Sequence, residues 1–224
     1  MPYIATMAVS AVPLRDRDRH LVARRPEILE RINDGSLNVV IWERRLPPAV
    51  PAALRRWADA GPQRFEGLVS DGGAWVEAAL RGFPVSPARA FLVRDLHALV
   101  EKFRELTALE KVKLSFGVVT GDQCRKFHGD YNRLRLITTY LGPATEWLPE
   151  RAVRREALLQ PPACPTTANH LIVRDPTQVR RAHAGDVLLL RGHDGVTGAA
   201  LGAVHRSPPI EASRKVRVVL VASL

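Results

Sequence analysis

The sequence predicts an α+β protein with a mainly β core, a sandwich or small barrel against which an N-terminal helical region packs. Three observations support this. Helical periodicity dominates from Pro26 to about Leu109. From Glu110 onward the signal changes to short β-like runs broken by turns. Between those runs there are no helices of the length a parallel βαβ sheet requires. The expected division is a helical region over 1–110 and a β core over 111–224, built as one unit, a size that suits 224 residues.

In the first region Pro26 opens PEILERIN, which ends against Asp34-Gly35, and a short extended stretch follows from Leu37 to Trp42. Leu46-Pro47-Pro48 breaks the chain. Pro51 is expected as a first-turn proline of a helix that stops at Gly61, and another helix is expected over Gly73–Leu80. The clearest helix begins at Ser86, an N-cap followed by Pro87, with Leu92, Leu96, Leu99, Val100, Phe103 and Leu106 recurring every three or four residues.

In the second region the expected strands are Val112–Val119, Leu134–Leu141, His170–Arg174, Asp186–Arg191, Ala200–Arg206 and Lys215–Ala222. Gly142-Pro143, Pro161-Pro162, Pro165, Asp175-Pro176, Gly192–Gly198 and Pro208-Pro209 punctuate them. A helical turn is expected only around Glu150–Leu159.

The formal charge of +10, from 33 Lys plus Arg against 23 Asp plus Glu, raises nucleic acid as a partner. The basic residues form no dense run, however, and Lys occurs only at Lys102, Lys111, Lys113, Lys126 and Lys215. Aromatic residues do not interleave with them as a base-stacking platform requires. A small-molecule or anionic substrate accounts for the charge as well, and no membrane partner is expected. Two cysteines make no disulfide framework, and no apolar run approaches a membrane span. The N-terminus lacks the basic flank and cleavage pattern of a signal peptide, so a cytoplasmic location is expected. Oligomeric state is not legible.

The chemistry concentrates in CRKFHGDYNRLRLITTYLGPATEW, where His128 and Asp130 lie two apart just before a strand. In an extended segment residues i and i+2 share a face, so one imidazole and one carboxylate can grip a single ion. By itself the spacing carries little: with 7 His, roughly 0.7 His-x-acid matches arise by chance. Its context adds weight, because the pair borders a turn and an apolar strand, and a late His205 ends another strand-like run in GAVHRSPP. Two His and one carboxylate leave open positions on an ion, the arrangement of non-haem Fe(II) sites. Cys124 and Cys164 offer thiolates, which favour zinc, although each also suits a plain structural role. His20 and His97 are expected on helical surfaces, His183 and His193 in solvated turns, and His170 at a strand start. Trp147 is expected to cap the core or line a barrel mouth.

These blocks, FHGDYNRLRLITTYLGP, AGDVLLLRG, AVHRSPP and a basic terminal strand, resemble the double-stranded β-helix (jelly-roll or cupin-like) of the Fe(II)/2-oxoglutarate-dependent dioxygenases over Phe127 to about Val221. From about Val85 onward the chain more closely resembles a bacterial domain-of-unknown-function family with CRKFH-x-D, RLR, GP-x-TEW and VHRSPP blocks, often found among zinc-homeostasis genes. The resemblance implies His128, Asp130 and His205 as the metal triad. It also implies Arg214 or Arg217 as the group holding the distal carboxylate of 2-oxoglutarate, because a guanidinium forks onto a carboxylate in two parallel hydrogen bonds. The expected cofactor is Fe(II), alternatively Zn. The expected activity is hydroxylation of a C–H bond, and the alternative is zinc handling or sensing on the same barrel.

Overall fold

Long buried strands that cross between two facing sheets place the site. The computed structural model describes residues 19–70, 73–193 and 202–224. In chain order the elements are β1 His20–Ala23, β2 Val39–Trp42, α1 Ala49–Asp59, β3 Arg64–Val69, α2 Ala74–Ala79, α3 Pro87–Thr107, β4 Val112–Val119, β5 Leu134–Leu141, β6 Glu146–Leu148, α4 Glu156–Leu159, α5 Pro165–Ile172, β7 Arg180–Arg181, β8 Val187–Arg191, β9 Val204–Arg206 and β10 Arg217–Ser223. A 3-10 helix over Pro26–Asn33 precedes β2.

Seven strands form one sheet in the order β1-β2-β8-β5-β10-β4-β3, antiparallel except at the β1–β2 edge. A smaller sheet has the order β7-β6-β9, and an isolated bridge between His128 and His205 extends it. From β4 onward the chain passes repeatedly from the large sheet to the small one and back, which is the winding of a double-stranded β-helix. Ile137, Leu188, Leu190 and Val219 of the large sheet meet Trp147, Ala182 and Ala203 across the interior. The opposite face, with Val40, Leu136, Leu189 and Leu220, packs under the helices. Strands buried on both faces read as continuous apolar runs rather than alternating ones, as VLLLR does in β8.

Helix α3 begins where the Ser86 Oγ accepts from the Arg89 amide at 3.1 Å, with Pro87 in its first turn. Leu92, Leu96, Leu99, Val100 and Phe103 are all buried, and each leucine contributes about 1.5–3 kcal/mol by leaving water. The helix stops at Ala108, whose φ of 54° is left-handed. Below it, the buried Tyr140 hydroxyl donates to Asp95 at 2.5 Å, and Arg44 pairs with the same carboxylate. Burial and the Asp95 charge push the Tyr140 phenol well above its usual value of 10. A raised folded-state value favours the protonated form, so its contribution is complete below pH 10 and is lost as pH rises further. Tyr140→Phe is therefore expected to cost about 1.5–3 kcal/mol at neutral pH. Denaturant titrations repeated at rising pH should show the gap to the wild type closing above pH ~10.

Several local expectations change. The extended stretch expected over Leu37–Trp42 is β2, but the region expected to be otherwise helical also supplies β1 and β3 to the large sheet. His20, expected on a helical surface, starts β1 with its ring 4.9 Å from that of Trp147. Helix α1 starts at Ala49 after Pro48, two residues before Pro51. The expected strand from His170 is instead the end of α5, because Ala168 and Ile172 bury at helical spacing behind Pro165. Trp147 fills the core between the sheets. Strand β10 begins at Arg217 rather than Lys215. The start of the strand expected at Ala200, and most of Gly192–Gly198, lie outside the described residues. No described helix is long and apolar enough to cross a membrane.

Candidate metal centre

His128 and His205 face each other across a hydrogen-bonded antiparallel pair. The His128 amide donates to the His205 carbonyl at 3.0 Å, and the His205 amide returns the bond at 3.0 Å. Directly opposed residues put their side chains on the same face, and here the ring centroids are 4.7 Å apart. Asp130, two residues along from His128, turns to that same face. The three donors lie within 4.8 Å of one another.

The imidazoles are oriented from behind. The Nδ1 of His128 lies 2.8 Å from the Lys126 carbonyl, and that of His205 lies 3.3 Å from the Ala203 carbonyl. These contacts assign the proton to Nδ1 and leave the Nε2 lone pairs aimed at Asp130, at 3.6 Å for His128 and 3.5 Å for His205. Donors that share an ion at about 2.0–2.1 Å stand about 3.0–3.4 Å apart, and the two imidazole–carboxylate distances are close to that spacing. Burial holds His205 at a pKa of about 4, despite the opposing pull of Asp130. It is neutral at physiological pH, the form that ligates a cation. Burial works against ionisation of Asp130, but His128, His205 and Arg135 outweigh it and hold the carboxyl below its usual value. Its Oδ1 forms an ion pair with Arg135 at 3.0 Å, while its buried Oδ2 has no hydrogen-bond partner among the described residues. An orphaned buried carboxylate oxygen facing a neutral imidazole fits the binding of a cation.

The loop carrying Asp130 rests on the end of β8. The His193 amide donates to the Asp130 carbonyl at 2.9 Å. A Cβ on Gly192 would fall 1.8 Å from the Asn132 carbonyl oxygen and 2.6 Å from that of Asp130. Gly192→Ala is therefore expected to displace Asp130 and weaken divalent-metal binding roughly 10- to 100-fold, the size of effect that outer partners of a metal site exert. Metal titration of the variant checks this. On the other side, Asn169 accepts from the Phe127 amide at 2.8 Å and donates to the Arg125 carbonyl at 3.0 Å, fixing the approach to His128.

A cleft of about 190 Å³ opens at His128 and His205 and is lined also by Cys124, Arg135, Arg206 and Arg217. The basic residues near it are committed differently. Arg135 faces Asp130, Arg206 holds Glu146 at 2.7 Å and lies over the Phe127 ring, and Arg125 pairs with Asp122. Arg217 is only 2 % exposed, and its Nε has no partner. One terminal nitrogen lies 3.5 Å from the Thr139 hydroxyl, and no carboxylate pairs with it among the described residues. Burial lowers its pKa to about 10, so it stays charged at neutral pH. Arg214 sits elsewhere, exposed in a left-handed turn with φ 49°, outside the cleft lining.

Cys124 is exposed on the cleft rim rather than a small buried side chain, and it lies outside the donor trio. Cys164 caps α5, where the amides of Thr167 and Thr166 hold its thiol below the usual range. His97 and His183 are exposed, as expected, whereas His193 is half-buried against Tyr131. Sequence patterns did not disclose the carbonyls behind the two imidazoles or the Glu146 anchor of Arg206. The TEW block alone pointed toward the latter.

A model of the family described as "Protein of unknown function (DUF1826)" matches residues 23–222. The chain belongs to that family. No curated protein matches this DUF1826 chain. Among solved structures it is similar to a dioxygenase for auxin oxidation from rice, at 12 % identity over 93 % of this chain and 83 % of that one, with a TM-score of 0.46. It is also similar to HygX from Streptomyces hygroscopicus with iron bound (14 % identity, 90 % and 86 % covered, TM-score 0.45). A third is a Pseudomonas putida prolyl-4-hydroxylase (12 % identity, 88 % and 98 % covered, TM-score 0.41). Likeness this distant says nothing of what the DUF1826 chain acts on.

Proposed function

We propose that this protein is a non-haem Fe(II)/2-oxoglutarate-type oxygenase that hydroxylates a C–H bond of a small-molecule or anionic substrate. His128, Asp130 and His205 hold the ion, and Arg217 binds the distal carboxylate of 2-oxoglutarate. The observation that carries this reading is Arg217 itself, a buried guanidinium that no carboxylate pairs among the described residues, in the same cleft as the two imidazoles that face Asp130. A buried charge is costly unless paired, so an uncompensated one marks the place of an anionic ligand.

Bound Fe(II) and 2-oxoglutarate would together use O₂ to place one oxygen atom in the C–H bond, releasing succinate and CO₂. The chain's own residues have simpler tasks. The Lys126 and Ala203 carbonyls keep each Nε2 pointed inward. Arg217 fixes the cosubstrate's far end by a forked ion pair. Ile137, Val219 and Val221 line the cleft and keep its wall dry. Arg206, clamped by Glu146 and stacked on Phe127, borders the open side where a substrate would enter.

Anaerobic purification, metal analysis and assay of succinate release from 2-oxoglutarate test the reading. About one iron per chain with even slow succinate release supports it. Tightly held zinc without turnover overturns it in favour of the second reading, a zinc-handling or sensing protein. That reading draws on the Cys124 thiol at the cleft rim and on the suitability of His and carboxylate donors for zinc.

A further inference from the structure

We propose a second binding site, for a small organic anion with an apolar body, in a cleft that shares no lining residue with the metal cleft. It lies between the 3-10 helix at Pro26–Asn33, the C-terminal end of α3 and the strand ends at Arg133 and Arg191–His193, and its volume is about 380 Å³. That is twice the volume of the metal cleft and within the range of small-ligand pockets. Strand β5 separates the two, because Leu134 and Arg135 point to its opposite faces.

The polar end of the cleft is cationic. Arg19 is 5 % exposed, its Nε is unpartnered, and the one hydrogen bond of its guanidinium among the described residues is a long 3.5 Å contact to the Gly35 carbonyl. Arg133 stands exposed at the mouth with no ion pair among the described residues. The buried Nδ1 of His193 has no partner. Arg191 is a different case, since its guanidinium is spent on the Leu37 and Ile32 carbonyls. No Asp or Glu side chain is among the described residues lining the cleft. Its other wall is apolar, formed by Ile32, Leu106 and Leu134. A desolvated guanidinium, an exposed one at the mouth and an aliphatic wall together select a carboxylate or phosphate monoester carrying a hydrocarbon chain, not a bare inorganic ion.

Calorimetric titration of the full chain with octanoate and with octyl phosphate tests this. The expected result is saturable binding at about one per chain, weakened at least about tenfold by Arg133→Gln, since a charge-assisted hydrogen bond is lost. The tighter of the two probes identifies the head group. The Arg133 side chain is exposed and makes no hydrogen bond or ion pair among the described residues, so this variant stays folded, and Arg19→Gln serves as a second one once its melting temperature is checked. Arg217→Met must leave the binding intact, which separates this site from the metal cleft. No saturable binding, as when the chain's own carboxylates satisfy these cations, overturns the proposal. So does equal affinity in both variants, or loss of binding in Arg217→Met.

Discussion

Arg217→Met is expected to abolish 2-oxoglutarate binding while leaving the protein as stable as the wild type or more so. The two effects run in opposite directions for one reason. The native side chain carries a charge into a wall made by Ile137, Val219 and Val221, and no carboxylate meets it among the described residues. Replacing a buried, poorly compensated ion by an apolar side chain of similar size is often neutral or stabilising, by as much as about 1–4 kcal/mol. The same change removes the forked ion pair that would hold the cosubstrate, for which a loss of about 100-fold or more is expected. Thermal unfolding without ligand and titration with 2-oxoglutarate on the same sample separate the two. A melting temperature that falls by many degrees would mean that Arg217 has a structural partner and would remove the basis for its role as a carboxylate anchor.

The second large effect is expected for His128→Ala. Its side chain is partly exposed, and its backbone pairing with His205 does not depend on the imidazole. The fold should persist, with a melting temperature close to that of the metal-free wild type. Bound divalent metal should drop from about one per chain by more than the roughly 10- to 100-fold that outer partners contribute, because a direct ligand is lost. Unchanged metal content would show that the histidine–carboxylate trio is an ion-pair cluster rather than a metal centre. His205→Ala makes a weaker test, since that side chain is buried and its removal leaves a cavity.

Much of the β core was legible because its strands are buried on both faces, so Leu134–Leu141 and Val187–Arg191 stand out as apolar runs between turn residues. Helix α3 was legible from its Ser86-Pro87 start. Of the N-terminal strands only β2 was, as the extended stretch Leu37–Trp42: β1 is four residues long and gains its identity only by pairing with β2, a contact no local pattern encodes. The same holds at the site. His128 and Asp130 announced themselves by spacing, whereas the pairing of His128 with His205 spans the whole core and is set by how the small sheet closes. Arg214 and Arg217 were equivalent on paper. They separate in space because the chain turns left-handed at Arg214 and enters the strand only at Arg217. The helix over Pro165–Ile172 was hidden because His170–Arg174 contains β-branched residues that read as extended.

Asp130 divides its two oxygens between two neighbours. One faces the Arg135 guanidinium and the other faces His205 with no proton donor of its own. In the proposed site a cation arriving from the cleft would meet the orphaned oxygen and would not need to evict Arg135. Loading of the ion would thus leave the Arg135 ion pair in place.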